Sequence, residues 1–341
     1  MKSRNAATGL AILVLFSAWV MRVEAQPAAE FYKGKQVDLY IGYSAGGGYD
    51  IYARLLARHI GRHIPGNPTI VPRNMEGAGS LRLANWLYKA APKDGTAFGT
   101  IGRGIPFDPL LGGTGAQFKA SEFAWIGSAN DEVSVCASWG KTGIARFDEL
   151  YRKELIVGGT GATADTDLFP KVMNGVLGTK MRIVTGYPGG ADITLAMQRG
   201  EVEGRCGWSW SSIKTNHPEW VKDGTLKLLV QLSLEKHPDM PDVPLIMDFV
   251  KTEEQRGVMR LVFARQVMGR PFLAPPGVPA ERIALLRKAF MDTMKDKDFL
   301  AQADKLKLEI TPVSGERVQE LVAEVYRTPP DIVKRTIEAL K

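Results

Sequence analysis

The chain has 341 residues, 45% of them hydrophobic and 24% charged, with a formal net charge of +7. That length suits two domains. The positive excess is modest and scattered, with no basic block, which argues against nucleic-acid binding and leaves weak steering of anionic ligands. Four histidines and two cysteines are few for a metal site.

The first element is an export signal. Lys2 and Arg4 precede an apolar run from Gly9 to Val20, and Val23-Glu24-Ala25 supplies a small-x-small cleavage site. Residues 1–25 are therefore expected to be a signal peptide, with the mature chain exported to the periplasm. The run is short of the roughly 20 residues that cross a bilayer, and no later segment is long and apolar enough to span.

"QVDLYIGY" (36–43) predicts a strand. "DIYARLLARHIG" follows with apolar residues at 51, 55, 56 and 60, a helical spacing. His59 and His63 lie four apart, but Arg58 and Arg62 flank them and Gly61 interrupts the helix, so no metal site is read there. "TIVPRN" (69–74) is the next strand, "GAGSLRLANWLYKAA" (77–91) a glycine turn and helix, and "TAFGTIG" (96–102) a third strand. Further strands are predicted at 123–128, 133–138, 155–158, 181–186, 202–206 and 226–231. Helices are predicted at 146–153, 164–177, 190–199 and 211–222. This alternation argues for α/β architecture with parallel sheets. The C-terminal third reads as mostly helical.

Three glycine-rich strand-to-helix junctions recur: "YSAGGGYD" (43–50), "GGTGATADTD" (158–167) and "GYPGGAD" (186–192). Helix N-termini carry unpaired N–H groups and a dipole that favours anions. Glycine lets backbone approach a ligand without a Cβ in the way. Ligands of open α/β sheets bind beyond the carboxyl ends of strands, where such junctions lie.

Gly42-Tyr43-Ser44-Ala45-Gly46 also fits G-x-S-x-G, the nucleophile elbow of α/β-hydrolases. Only residues 26–43 of the mature chain would precede Ser44, enough for one strand, and the later histidines, His217 and His237, sit in His-Pro turns. No G-K-[ST] follows the glycines, so a phosphate-binding P-loop is excluded.

The stretch "YIGYSAGGGYDIYARLLARHI…PGNPTIVPRNMEGAGSLRLANWLYKAAPKDGTAFGTI" resembles the N-terminal domain of the extracytoplasmic solute receptors of tripartite tricarboxylate transporters. "VGGTGATADTDLFP", "GYPGGADITLAMQRGEVEG", "HPDMPDVPLI" and "PFLAPPGVPAERIALLRKAF" resemble later marks in order, so the resemblance covers nearly the whole mature chain. It implies a type II periplasmic binding-protein fold: two α/β lobes with a ligand cleft between them. The first lobe would take residues 27–130 and 236–341, the second 131–235. It also implies no catalysis, no cofactor, a small organic carboxylate as ligand, and integral-membrane permease subunits as partners of a monomeric receptor. A ligand-sensing protein for a signalling partner is the alternative, and a serine hydrolase a remote third.

On this resemblance the ligand would meet Ser44, Ala45, Gly46 and Gly47 of the first junction, and Gly159, Thr160, Gly161, Ala162 and Thr163 of the second. Asp50 matches the acid of a G-G-x-x-D pattern. As a first-turn acid it favours the helix dipole, and a ligand contact is its other possible role. Third-glycine Gly48, Tyr49, "RNMEGAG" and "GRCGWSWSS" depart from the common pattern and leave the ligand open. Arg103, between glycines after the third strand, would clamp a second carboxylate, and Arg205 raises the same question. Tyr43, Tyr187 and Trp208 would enclose an aromatic or apolar ligand body. In an exported chain, Cys136 and Cys206 favour a disulfide, with two buried thiols as the alternative.

Overall fold

A computed structural model describes residues 28–341; the expected signal peptide lies outside the described residues. The strands are β1 (Gln36–Ile41), β2 (Thr69–Asn74), β3 (Ala97–Thr100), β4 (Ala124–Ser128), β5 (Ser134–Trp139), β6 (Leu155–Gly158), β7 (Met181–Val184), β8 (Gly204–Ser209), β9 (Leu226–Leu232), β10 (Pro271–Ala274) and β11 (Val313–Ser314). They form a six-stranded sheet in the order β11-β4-β10-β3-β1-β2 and a five-stranded sheet in the order β7-β6-β8-β5-β9.

Val37, Leu39 and Ile41 alternate inward from β1 and pack beneath Tyr52, Leu55, Leu56 and Ile60 of helix Gly48–Ile60. All four residues of β3 are buried, as expected for a central strand covered on both faces.

The sheets are mixed rather than wholly parallel. β10 runs antiparallel to β3 and β4, and β5 antiparallel to β8 and β9. The reason is where the chain changes lobe. β4 ends at the cleft and passes at once into β5, which starts at the cleft and must run away from it. β10, entering from the second lobe, does the same in the first, so the return connector lies at residues 266–270 and not at the expected boundary of 235–236. The two connectors bond each other: Glu132 N–H donates to Gln266 O (2.8 Å), Gly269 N–H to Asn130 O (2.9 Å) and Ala129 N–H to Arg270 O (3.0 Å). They form a hinge.

Three other readings change. The helix predicted at 146–153 is a short 3-10 turn, Phe147–Tyr151. The helix predicted at 211–222 is two, Trp210–Asn216 and Pro218–Lys222. Proline disfavours helical backbone at the residue before it, and His217 leaves the helix with φ −144° and ψ 48°. The C-terminal third also contains β10 and β11. Its last helix, Pro330–Ala339, leaves the first lobe and packs on second-lobe helix Asp165–Leu177 and on helix Glu253–Phe263. Glycines permit that approach: a Cβ on Gly175 would lie 2.1 Å from Ala339 O, and one on Gly257 2.7 Å from Ile332 Cδ1.

Cys136 on β5 and Cys206 on neighbouring β8 form a disulfide with Cα atoms 3.8 Å apart. Among the described residues no helix is long and apolar enough to cross a membrane.

Candidate functional site

The first junction is a turn held rigid from behind. Gly46 has φ 82°, a left-handed conformation that suits glycine. Asp50, 3% exposed, accepts the Gly46 N–H at Oδ2 (2.9 Å) and Arg54 Nε (2.8 Å) and Asn74 Nδ2 (2.9 Å) at Oδ1. Asn74 also donates to Tyr43 O (2.8 Å). Both Asp50 oxygens are thus engaged inside the first lobe, which makes it a buttress of the turn. Tyr43 stacks on Tyr49 with ring centres 4.6 Å apart and donates to Gly79 O (3.2 Å). Ala45 and Gly46 are exposed, whereas Gly47 is buried at the cleft.

Ser44 points across the cleft. Its hydroxyl donates to Asp192 Oδ2 (2.6 Å), on second-lobe helix Gly190–Arg199. Its partner is a carboxylate, where a nucleophile would need a base such as imidazole. Gly189 makes the approach possible, since a Cβ there would lie 2.3 Å from Ser44 Oγ.

The second junction spends much of its polarity on itself. Thr160 N–H donates to Thr166 Oγ1 (3.0 Å) and Gly161 N–H to Asp167 Oδ2 (3.0 Å). Gly159 packs on the Asp167 carboxylate, and Gly161 meets Ala78 and Gly79 of the first lobe. Thr163 donates to Ala78 O (3.4 Å), and Ala162 is exposed. Of these five, Thr160 lines the central cavity. Tyr187, half-buried, stands off that cavity, its N–H bonded to Gly159 O (3.1 Å).

Between the lobes lies a cavity of about 50 Å³. Gly47, Gly48 and Gly190 reach it from opposite lobes, and Arg103, Arg205 and Arg270 line it against one carboxylate, Asp165. Arg103 is 2% exposed. Its Nε donates to Asp165 Oδ2 (2.5 Å) and its Nη2 to Ser134 Oγ (2.7 Å) and Ser209 Oγ (3.3 Å), all in the second lobe. Burial, the largest single influence, would lower the Arg103 pKa, but the charge and hydrogen bond of Asp165 together with Tyr49 and Glu132 outweigh it and raise it. Arg265 takes the other Asp165 oxygen (3.3 Å). Arg270 pairs with Glu132 (3.2 Å) across the hinge and donates to Ser211 and Ser212 (both 3.1 Å). The Arg103 guanidinium is therefore engaged with protein groups.

Arg205 differs. Its Nη1 donates to Gly190 O (3.1 Å), and among the described residues its buried Nε has no partner and no carboxylate pairs with it. The guanidinium lies over the Trp208 ring at 4.9 Å. Burial pulls its pKa down to about 9, with Arg270 and Arg103 adding repulsion. It remains a cation at neutral pH, desolvated and short of negative charge. A second pocket of about 250 Å³ adjoins it, sharing Gly47, Gly48, Gly190 and Arg205 with the inner cavity and adding Trp208, His217 and Leu195.

Sequence reasoning missed Asp165, Arg265, Arg270 and Asp192. The available signal was two arginines in the mostly apolar "LVFARQVMGRPFL", where buried charge must find partners. His237, Asp239 and Glu309 come close enough together to hold a metal ion, but Lys214 already pairs with Asp239 (2.7 Å) and with Glu309.

No protein-family model matches the chain, and no curated protein matches its sequence. Its shape is similar to periplasmic binding protein BugD at 20% identity and TM-score 0.69, covering 90% of this chain and 98% of that one. It is similar to MatC from Rhodopseudomonas palustris with bound malate at 17% identity and TM-score 0.69, covering 90% and 99%. A third similar structure, an R. palustris protein with adipate, has 17% identity and TM-score 0.67, covering 89% and 97%. Two mixed α/β sheets, a double-connector hinge and a cleft between the lobes, matched over nine-tenths of the chain, show that this protein has the fold of the periplasmic binding proteins.

Proposed function

We propose that the protein is an exported solute receptor. It captures a small organic carboxylate between its lobes and delivers it to the permease subunits of a tripartite tricarboxylate-type transporter. The observation that carries this reading is Arg205: a desolvated guanidinium without a carboxylate partner among the described residues, at an interlobe cavity whose backbone walls are glycines at helix starts. An anion there satisfies Arg205 and meets the positive ends of helices Gly48–Ile60 and Gly190–Arg199 from opposite lobes. A ligand touching both lobes stabilises the closed arrangement over the open one. The malate and adipate held by two proteins of this fold support a carboxylate as ligand.

The role is capture without turnover and needs no cofactor. Ser44 acts as a wall of the cradle and as a contact between lobes. A thermal-shift screen of organic acids on the mature protein tests the reading. A ligand at 100 Kd adds about 2.7 kcal/mol to the native state. If no carboxylate raises the melting temperature, capture of this ligand class is excluded.

A further inference from the structure

We infer that the ligand is an aromatic monocarboxylate, its carboxylate in the inner cavity at Arg205 and its uncharged ring in the outer pocket against Trp208 and His217. This rests on the carboxylate-capture reading and narrows it.

Three observations carry it. The first is size. At about 50 Å³ the inner cavity admits a headgroup and little more; one water already needs about 10–15 Å³ of such space. The outer pocket, about 250 Å³, is five times larger and shares the Arg205 wall. A ligand bound at Arg205 therefore places its head inward and its body outward.

The second is charge. Arg103 is matched by Asp165 and Arg270 by Glu132, leaving Arg205, among the described residues, as the cation of the inner wall without its own acid. Among the described residues, Arg205 is also the only arginine, lysine or acid lining the outer pocket. The remaining ionisable group there, His217, is stacked face to face on Trp220 at 3.7 Å, and burial lowers its pKa, so it is neutral at pH 7. A second carboxylate carried on the ligand body would enter the outer pocket with no cation of its own, which is unfavourable.

The third is the wall chemistry. Trp208 is 2% exposed and meets His217 edge to face at 6.1 Å, so the pocket floor is aromatic and held in place. Leu195, 44% exposed, forms an apolar rim, and Thr194, Gln198 and Asn216 place amide and hydroxyl groups around it. An indole and an imidazole in the floor, with an aliphatic rim and polar groups between, suit a flat ring better than an extended polar chain.

The test is calorimetric titration of the intact mature protein with benzoate, phenylacetate, 3-phenylpropionate, adipate and the neutral isostere benzamide. We expect an aromatic acid to bind at least about tenfold tighter than adipate, and benzamide to bind at least about tenfold weaker than benzoate. A gain-of-function variant gives a second readout. Leu195→Arg, at an exposed rim position, supplies the missing cation. It should strengthen adipate about tenfold or more and shift the adipate-to-aromatic affinity ratio in adipate's favour. Adipate binding tighter than every aromatic acid in the wild type would overturn the inference and leave carboxylate capture standing. So would a Leu195→Arg variant unchanged toward adipate. Absence of binding by any of the acids would remove the capture reading itself, and this inference with it.

Discussion

Arg103 of the first lobe and Asp165 of the second form a buried ion pair across the cleft, Nε to Oδ2 at 2.5 Å, with side chains 2% and 9% exposed. The same carboxylate receives Arg265 (3.3 Å), so one acid holds two arginines. Removing one member of a buried pair costs far more than the pair contributes, because the remaining charge is stranded. Asp165→Asn leaves two such charges and should destabilise the native state by about 3–5 kcal/mol. Urea unfolding reads this directly, and a loss below about 1 kcal/mol would show that the arginines find other partners.

Arg205 should behave in the opposite way. It leaves no partner acid behind when removed, so Arg205→Met should keep or slightly raise thermal stability. Affinity for the carboxylate should fall by about 1.5–3 kcal/mol, the worth of a charged hydrogen bond. Calorimetry and a melting curve on the same sample separate the two effects. A stability loss matching that of Asp165→Asn would make Arg205 structural.

Ser44 and Asp192 join the lobes through one hydrogen bond at 2.6 Å. Ser44→Ala should weaken ligand binding about tenfold, near 1–2 kcal/mol, by destabilising closure. Gly189→Val should act more strongly, since its first side-chain carbon would lie 2.3 Å from Ser44 Oγ. Small-angle scattering should then report lobes that stay apart when ligand is added. Covalent labelling of Ser44 by a serine-directed phosphonate would instead restore the nucleophile reading.

Asp296 sets an acid limit. It caps helix Lys297–Lys305 by accepting the N–H groups of Asp298 and Phe299, and it bonds His63 (2.8 Å) and Arg62 (2.7 Å). Burial alone would raise its pKa, but the His63 bond, both backbone donors and Arg62 outweigh this and hold it at about 2. A folded pKa below the unfolded value adds stability above about pH 4, which is lost as pH falls through 2. Asp296→Ala should cost about 1 kcal/mol at pH 7, the usual worth of such a cap, and the deficit should vanish near pH 2. Unfolding curves at pH 7, 4 and 2 check it.

The glycine junctions were legible because a turn and the helix start after it are local. The role of Asp50 was not: the sequence suggested a helix-dipole acid or a ligand contact, whereas it accepts the Gly46 N–H and is also bonded to Asn74, 24 residues away. What could not be read was which arginine is free. Arg103 and Arg205 both sit beside glycines or cysteine in sequence. They differ through Asp165, which lies 62 residues from Arg103 and meets it only when the lobes meet. β10 was hidden for a related reason. Four residues, Pro271–Ala274, carry no period of their own, and their place in mid-sheet comes from partners on β3 and β4.

The last two helices set a mechanical bound on how far the lobes part. Helix Gly315–Val325 lies on β4 of the first lobe, and helix Pro330–Ala339 lies on the second. Only residues 326–329 join them. Fully extended, that leash reaches at most about 18 Å. The paired connectors at the hinge therefore share the swing with a third strap, and as long as helix Pro330–Ala339 stays docked the length of that strap caps the gape.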